Sequence, residues 1–162
     1  MVAEFEVTKR LILKDGGFFD IPAIYKVAKD VAESEKYDFV EMTHKSKPEK
    51  YGHIYEFEFG MENRFDYFAK NNITVEFFFD SLKKVKSGSR TLEAGNGRVK
   101  ITLKLVLDYQ NAWGKSAFFR FLFSLYQKYI AKKRIEDQYI VPSIIFTEKL
   151  YKSIKDAMEL HH

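Results

Sequence analysis

The sequence contains no cysteine and only three prolines among its 162 residues. The absence of cysteine excludes disulfide frameworks, thiolate zinc sites and cysteine nucleophiles. It also agrees with a reducing compartment, and we expect a cytoplasmic protein. No uncharged apolar run reaches the roughly 20 residues of a membrane-spanning helix. The amino terminus lacks the continuous hydrophobic centre of a secretory signal, so we expect a protein that is neither exported nor embedded in a membrane.

Motifs of catalysis and of phosphate binding are missing as well. The segment Gly95-Asn96-Gly97 is followed by a strand pattern instead of a helix, so it predicts a hairpin turn and no phosphate-binding loop. With four histidines and no nucleophile elbow, serine-type catalysis has no support. The sequence therefore favours a protein that is not an enzyme, and it predicts no catalytic residue and no cofactor.

Two histidines and a carboxylate in the sequence could together form a metal site. His44 and His53 flank a charged segment, with Glu41, Glu56 and Glu58 in reach if the strands on either side pair. The nine-residue separation has no repeated ligand spacing, which is typical of surface histidines beside a loop. We therefore predict no metal ligand.

Aromatic residues and an uneven charge distribution are what the chain does have. Phe, Trp and Tyr make up 17% of the residues. Residues 1–80 carry 11 Lys plus Arg against 16 Asp plus Glu, whereas residues 81–162 carry 16 against 7. A chain of this length buries about 70% of its unfolded surface, which suffices for one domain spanning residues 1–162. His161 and His162 are compatible with a remnant of an expression tag and carry no site argument.

Alternating patterns predict a sheet of mostly antiparallel strands. In residues 4–14 the side chains of Phe5, Val7, Leu11 and Leu13 fall on one apolar face. A helix is expected to begin after Asp20 and to end near residue 35. Strands are expected at 37–44, 53–61, 65–80 and 99–107, a charged loop at 45–52, and a short hairpin around residues 82–93.

One helix dominates the second half of the sequence. Residues 116–134 read SAFFRFLFSLYQKYIAKKR, and their apolar side chains fill about 200° of a helical wheel. An arc that wide predicts contact with two neighbours, so we expect this helix to lie across the inner face of the sheet. A final helix should follow from about residue 135, kinked or split by Pro142.

The predicted order is one strand, one helix, four to six strands and two helices, written β-α-β(4-6)-α-α. It resembles the helix-grip layout of the START and Bet v 1-like (SRPBCC) superfamily, which implies an α+β fold with a curved antiparallel sheet around a long C-terminal helix and an apolar cavity. Residues 106–136 are similar to a family of uncharacterised small archaeal proteins. The matching positions are Asp108, Tyr109, Asn111, Trp113, Phe119, Phe121, Tyr126, Lys128, Tyr129, Ile130, Arg134 and Glu136. That likeness implies a fold and no site.

The favoured function is that of a non-catalytic binding protein, which holds a hydrophobic small molecule or lipid-like ligand between the sheet and the C-terminal helix. A plain filled core is the open alternative for the same pattern. The residues expected to line the cavity are Tyr55, Phe57, Phe77, Leu103, Leu105, Phe121, Leu125 and Tyr129.

The alternative function is an interaction module that uses residues 116–134 to form a homodimer or to dock on an anionic surface. The expected contacts are Phe119, Phe123, Lys128, Lys132, Lys133 and Arg134. These cations are also explained by the dipole at a helix C-terminus. Peripheral membrane contact is the favoured form of docking. Nucleic acid is disfavoured, because the water-facing side of the predicted sheet is acidic at Glu4, Glu6, Glu56, Glu58 and Glu76.

Overall fold

The computed structural model describes residues 2–49, 52–87, 90–112, 116–126, 128 and 132–159. Five long strands come first, with one helix between the first two, and the remaining helices follow the last strand. The elements are β1 Ala3–Phe19, α1 Ile21–Ser34, β2 Asp38–Glu49, β3 Gly52–Arg64, β4 Ala69–Ser87, β5 Arg90–Leu107, α2 Ala117–Leu125, the single turn α3 Lys132–Arg134, a π-helical segment Ile135–Ile140, and α4 Val141–Glu159.

The strands form one open sheet in the order β1-β5-β4-β3-β2, and every neighbouring pair is antiparallel. Helices α1 and α4 pack against each other, and their apolar faces share one core with the inner face of the sheet. The predicted α+β class with an antiparallel sheet is confirmed. A sheet that carries a C-terminal helix on one face is also compatible with the helix-grip layout.

The C-terminal helix α4 closes this core. Phe146, Leu150, Ile154 and Met158 recur every four residues and are at most 5% exposed. Because four residues are close to one helical turn, these side chains form one stripe that faces the sheet. The strand residues in the same core include Phe57, Phe59, Met61, Ile73, Val75, Phe77, Val99, Ile101 and Leu103.

The aromatic helix differs most from the prediction. α2 ends at Leu125, and its side chains Phe118, Phe121 and Leu125 are 65%, 60% and 37% exposed. The expectation that the apolar side chains of this segment lie on the inner face of the sheet is therefore wrong for these three residues. The helix expected over residues 116–134 includes positions 127 and 129–131, which lie outside the described residues. The inner face of the sheet is already occupied by α1 and α4. The chain changes from π-helix to α-helix at Val141, next to Pro142, where the sequence predicted a break.

The inner face of β1 is also displaced from the predicted one. Ile12 is buried, whereas Leu11 and Leu13 are 52% and 65% exposed. The pairing with β5 shifts by one residue between Glu6 and Thr8. Such a bulge moves every later side chain to the opposite face, so the alternation predicted for residues 4–14 holds only before it.

Gly95-Asn96-Gly97 lies within β5 and is not a turn. The Asn96 side chain donates to Asp80 Oδ1 on β4 over 3.0 Å and accepts from the Gly16 N–H on β1 over 2.9 Å. A Cβ at Gly97 would stand 2.9 Å from Phe19, so glycine allows the rings of the core to approach the backbone here. The predicted loop 45–52 is likewise mostly strand, because β2 extends to residue 49.

A buried polar network fixes the beginning of α4 to the sheet. Asn71 is fully buried on β4, and its amide group donates to Tyr37 Oη over 2.7 Å and to Ser143 Oγ over 2.9 Å. The Asn71 side-chain oxygen accepts from the Asn63 N–H, and Ser143 donates in turn to the Tyr139 carbonyl over 2.6 Å. Because each of these polar groups has a partner, the network orients α4 without leaving an unsatisfied group in the core.

Candidate ligand-binding cleft

A cleft of about 600 Å³ opens where the first turns of α1 face strands β2, β3 and β5. Its floor is apolar and one of its walls is polar. The lining residues are Phe19, Ile21, Pro22, Tyr25, Glu41, His44, Tyr55, Phe57, Thr91 and Glu93. Asp20 fixes the entry into α1, since its carboxylate accepts from the Ala23 N–H over 3.3 Å and caps the helix that carries Tyr25.

A bulge in β2 brings the polar groups of this wall together. Glu41 lies opposite Phe59 and His44 lies opposite Phe57, but the pairing shifts between Glu41 and Thr43. In a regular strand, residues three positions apart point to opposite faces. The extra residue of the bulge turns both Glu41 and His44 toward the cleft, where His44 Nδ1 lies 4.0 Å from Glu41 Oε1.

The polar groups form a continuous row across the wall. Tyr25 Oη donates to Glu41 Oε2 over 3.2 Å, and His44 Nε2 is hydrogen-bonded to Tyr55 Oη. The ring of Tyr55 meets Phe57 edge to face, with the ring centroids 5.5 Å apart. The row therefore joins a helix to two strands and stands directly beside the aromatic floor.

The electrostatics of the cleft keep its phenols protonated. Burial raises the pKa of Tyr25, and the charge and hydrogen bond of Glu41 raise it further. Burial also raises the pKa of Tyr55, with added effects from the charges of Glu93 and Glu41. At neutral pH both phenols are hydrogen-bond donors. Two carboxylates and no Lys or Arg stand among the described residues that line the cleft, so it favours a cationic or hydrogen-bond-donating group.

The structure does not bring the eight predicted cavity residues together. Tyr55 and Phe57 line the cleft, whereas Phe77 and Leu103 belong to the closed core. Phe121 and Leu125 are exposed on α2, and Tyr129 lies outside the described residues. The space between sheet and C-terminal helix, where the ligand was expected, is filled by the packed side chains of the core.

Leu105 lines a second, shallower groove of about 420 Å³ near the start of β1 and the end of β5. Its walls are apolar except for three side chains, Ser124, Lys128 and Glu136, which come from α2 and the segments that follow it. The apolar lining consists of Phe5, Val7, Leu105, Leu107, Ile135 and Ile140. This groove is the part of the molecule that comes nearest to the predicted cavity below the aromatic helix.

The predicted anionic-surface cluster is partly visible. Lys128, Lys133 and Arg134 are exposed, and the side chain of Lys132 lies outside the description. The Arg134 side chain donates to Gln138 Oε1 over 3.0 Å and to Tyr126 Oη over 3.4 Å. The Arg134 guanidinium is therefore already engaged within the protein.

Sequence reasoning missed most of the cleft. The sequence indicates that Tyr25 is an ordinary core position of an amphipathic helix, and it predicts no site role for Glu93. His44 was considered for a metal site with His53, Glu41, Glu56 and Glu58. Glu41 does lie beside His44, but Glu56 and Glu58 line the outer face of the sheet. Within the ranges that the structure describes, no three His, Asp or Glu side chains cluster as metal ligands. The bulge in β2, which no sequence pattern reveals, brings Glu41 and His44 into the row of polar groups.

The chain shows no significant match to a protein-family model or to a curated protein. The likeness to helix-grip and small archaeal proteins therefore stays a prediction from the sequence. Across the described residues, no helix combines the length and apolar character needed to cross a bilayer.

Proposed function

We propose that the protein is a non-catalytic carrier or sensor of a hydrophobic small molecule, which binds in the cleft between α1 and strands β2 and β3. The ligand has an apolar or aromatic body and one cationic or hydrogen-bond-donating end. The observation that carries the proposal is the row Tyr25, Glu41, His44 and Tyr55 beside an aromatic floor in an open cleft.

Size and lining support this proposal. A volume of about 600 Å³ lies within the usual range of roughly 300–1,000 Å³ for small-molecule sites. Such sites join an apolar lining to a few convergent polar groups, as the cleft does. The apolar body would lie on Phe57 and Ile21, and the polar end would face Glu41 and Glu93. The proposal thus keeps the predicted ligand class and moves its site to the other side of α1.

Binding is favoured over catalysis by the state of the tyrosines. A tyrosine that acts as a base or nucleophile needs a lowered pKa, whereas the pKa values of Tyr25 and Tyr55 are both raised. Glu41 and His44 could move a proton, but an acid–base pair alone defines no reaction. The row is well suited to orienting a ligand by hydrogen bonds.

Native mass spectrometry of the freshly purified protein tests the proposal, followed by titration with a pair of matched dyes, one neutral and one cationic. We expect a co-purifying small molecule or saturable dye binding, with the cationic dye bound more tightly. Glu41→Gln should weaken cationic-dye binding by about tenfold or more, because it removes a charged partner worth roughly 1.5–3 kcal/mol.

Glu56→Gln is the matched control, since this glutamate lies on β3 but lines the outer face of the sheet. It should leave dye binding unchanged. The proposal is wrong if neither a co-purifying molecule nor saturable dye binding is found, or if both variants weaken the dye equally.

A further inference from the structure

We infer that α2 docks the protein on the surface of an anionic lipid bilayer. The inference is independent of the cleft and stands on a different part of the molecule. Phe118, Phe121 and Leu125 are exposed on α2 at positions i, i+3 and i+7. Residues at this spacing lie on one side of a helix and form a single apolar stripe.

One end of the helix that carries the stripe contacts the body of the protein. Tyr126, at the end of the helix, meets Phe68 edge to face with the ring centroids 6.0 Å apart. The Tyr126 hydroxyl also accepts from Arg134. At the other end, Ser116 Oγ accepts from the Phe119 N–H over 3.2 Å and holds the first turn. The helix is therefore capped at its start and contacts the body of the protein at its end, so the stripe is already a helical surface in the free protein.

The charged residues of the segment that carries the stripe have one sign. Arg120 on α2 and Lys133 on α3 are exposed, and the sequence holds no Asp or Glu between Gly114 and Ile135. Lys128 adds a third exposed cation at the rim of the apolar groove behind α2. An interfacial helix combines apolar side chains at the depth of the acyl boundary with Lys and Arg at headgroup level. The charges are thus complementary to anionic lipid.

A bilayer fits this surface better than the other occupants do. A stable dimer buries about 800 Å² on each partner, and three side chains on a nine-residue helix supply much less. Single-stranded nucleic acid needs a basic groove that follows several phosphates, whereas the cations here border an apolar stripe. A helix of this length spans only about 13 Å, so it would lie in the interface and not cross it.

Vesicle flotation tests the inference, with phosphatidylcholine vesicles compared with vesicles that also contain phosphatidylglycerol. We expect the protein to float with the anionic vesicles and the bound fraction to fall at high salt. Trp113 is the sole tryptophan of the sequence and precedes α2 by four positions. Its emission should shift to the blue when anionic vesicles are added.

Two variants test separately how the apolar stripe and the cations contribute to vesicle binding. The triple variant Phe118→Ser, Phe121→Ser and Leu125→Ser should abolish flotation. The double variant Arg120→Gln and Lys133→Gln should lower partition to anionic vesicles by about thirtyfold, since each cation near the surface contributes roughly fivefold. Ile145→Ser is the control, because this side chain is 64% exposed but lies on α4. It should float like the wild type.

Two results would overturn the inference. The first is an absence of flotation with anionic vesicles while light scattering shows a dimer that the triple variant dissociates, which would assign the stripe to a second copy. The second is flotation that the triple variant leaves intact. Neither result bears on the cleft, whose dye binding is measured without lipid.

Discussion

Two of the helices after the sheet, α2 and α4, differ in a way that explains the fold. α2 is the more aromatic of the two, yet Phe118 and Phe121 are mostly exposed, whereas Leu150 and Ile154 of α4 are fully buried. α4 places small or polar side chains beside its large ones, and α1 does the same. The small residues buried at these positions are Ala28, Ala32, Ser143, Thr147 and Ala157.

Small side chains decide how closely two helices can approach each other. Ser143 and Thr147 each donate their hydroxyl to the carbonyl four residues earlier in the chain, so they are buried without unmet hydrogen bonds. The inner face of the sheet therefore accepts the helix that packs closely, not the one with the largest apolar arc. The predictions below test whether α4 holds the core and α2 does not.

The largest effect is expected from Leu150→Ala on α4. Leu150 is fully buried in the core, so the substitution should lower the free energy of unfolding by about 2–5 kcal/mol through lost burial and a cavity. Phe121→Ala on α2 removes a larger side chain that is 60% exposed and should change stability by no more than about 0.5 kcal/mol. Urea unfolding measures both. Equal losses would mean that α2 also covers the core.

Much of the sheet could be predicted from the sequence, because regular alternation is a local signal. The strand expected at 99–107 is part of β5, and its alternating residues Val99, Ile101, Leu103 and Leu105 are all buried. The signal fails at bulges. The bulge in β1 places Leu11 and Leu13 on the face opposite to the predicted one. The pairing of β4 with β5 is interrupted after Asp80, opposite Gly95-Asn96-Gly97, which was wrongly predicted as a turn.

The choice of covering helix and the cleft could not be predicted for a different reason. Both depend on contacts between residues distant in the sequence. Tyr25 meets Glu41 only because α1 packs over β2, and His44 joins Glu41 only through the bulge. An amphipathic pattern indicates that a helix has an apolar face, but it does not indicate which surface that face packs against.

Asn71→Ala should have the next largest effect, because it removes the group that joins the beginning of α4 to β4. The substitution leaves Tyr37 and the Asn63 N–H without their partner in a buried place, which costs about 2–3 kcal/mol. Ser143→Ala removes one arm of the same network and should cost less. Thermal unfolding checks the order of the two. If Asn71→Ala proves neutral, the network does not fix α4.

Tyr139→Phe tests the π-helical segment between α3 and α4. Tyr139 Oη donates to Asp66 Oδ2 over 2.5 Å, and loss of a hydrogen bond to a charged group costs about 1.5–3 kcal/mol. Burial and then Asp66 raise the pKa of Tyr139 to about 12. Because the folded pKa is the higher one, this contribution is complete below about pH 10 and is lost as the pH rises toward 12.

Because Tyr139 contacts Asp66, the Tyr139→Phe variant should also change the dependence of stability on pH in the acid range. Burial alone would raise the Asp66 pKa, but hydrogen bonds from Tyr139, Ala69 and Phe68, with nearby Arg134, outweigh it and lower the pKa below its ordinary value of 3.8. This contribution is present above that value and lost as the pH falls through the folded pKa. In Tyr139→Phe, both the acid and the alkaline losses should shrink. Unchanged pH profiles would exclude the Tyr139–Asp66 contact as their source.

The smallest effect is expected at the contact between the middle of α4 and the edge strand β1. The Arg10 guanidinium lies 4.2 Å from the Tyr151 ring centroid, and its Nε is 3.4 Å from Glu148 Oε1. Both partners are on α4, but the Arg10 side chain is 40% exposed, so solvent weakens the pair. Arg10→Ala should cost about 0.5–1 kcal/mol.

Arg98→Ala is the matched control for this contact. Arg98 lies over the Phe78 ring at 4.9 Å and lines the outer face of the sheet, away from α4. Hydrogen exchange separates the two variants better than global stability does. Arg10→Ala should speed exchange of α4 amides near Tyr151, because the helix loses one of its links to β1, while Arg98→Ala should not. If exchange in α4 responds to both variants alike, α4 is stabilised by the sheet as a whole and not by its contact with the β1 edge.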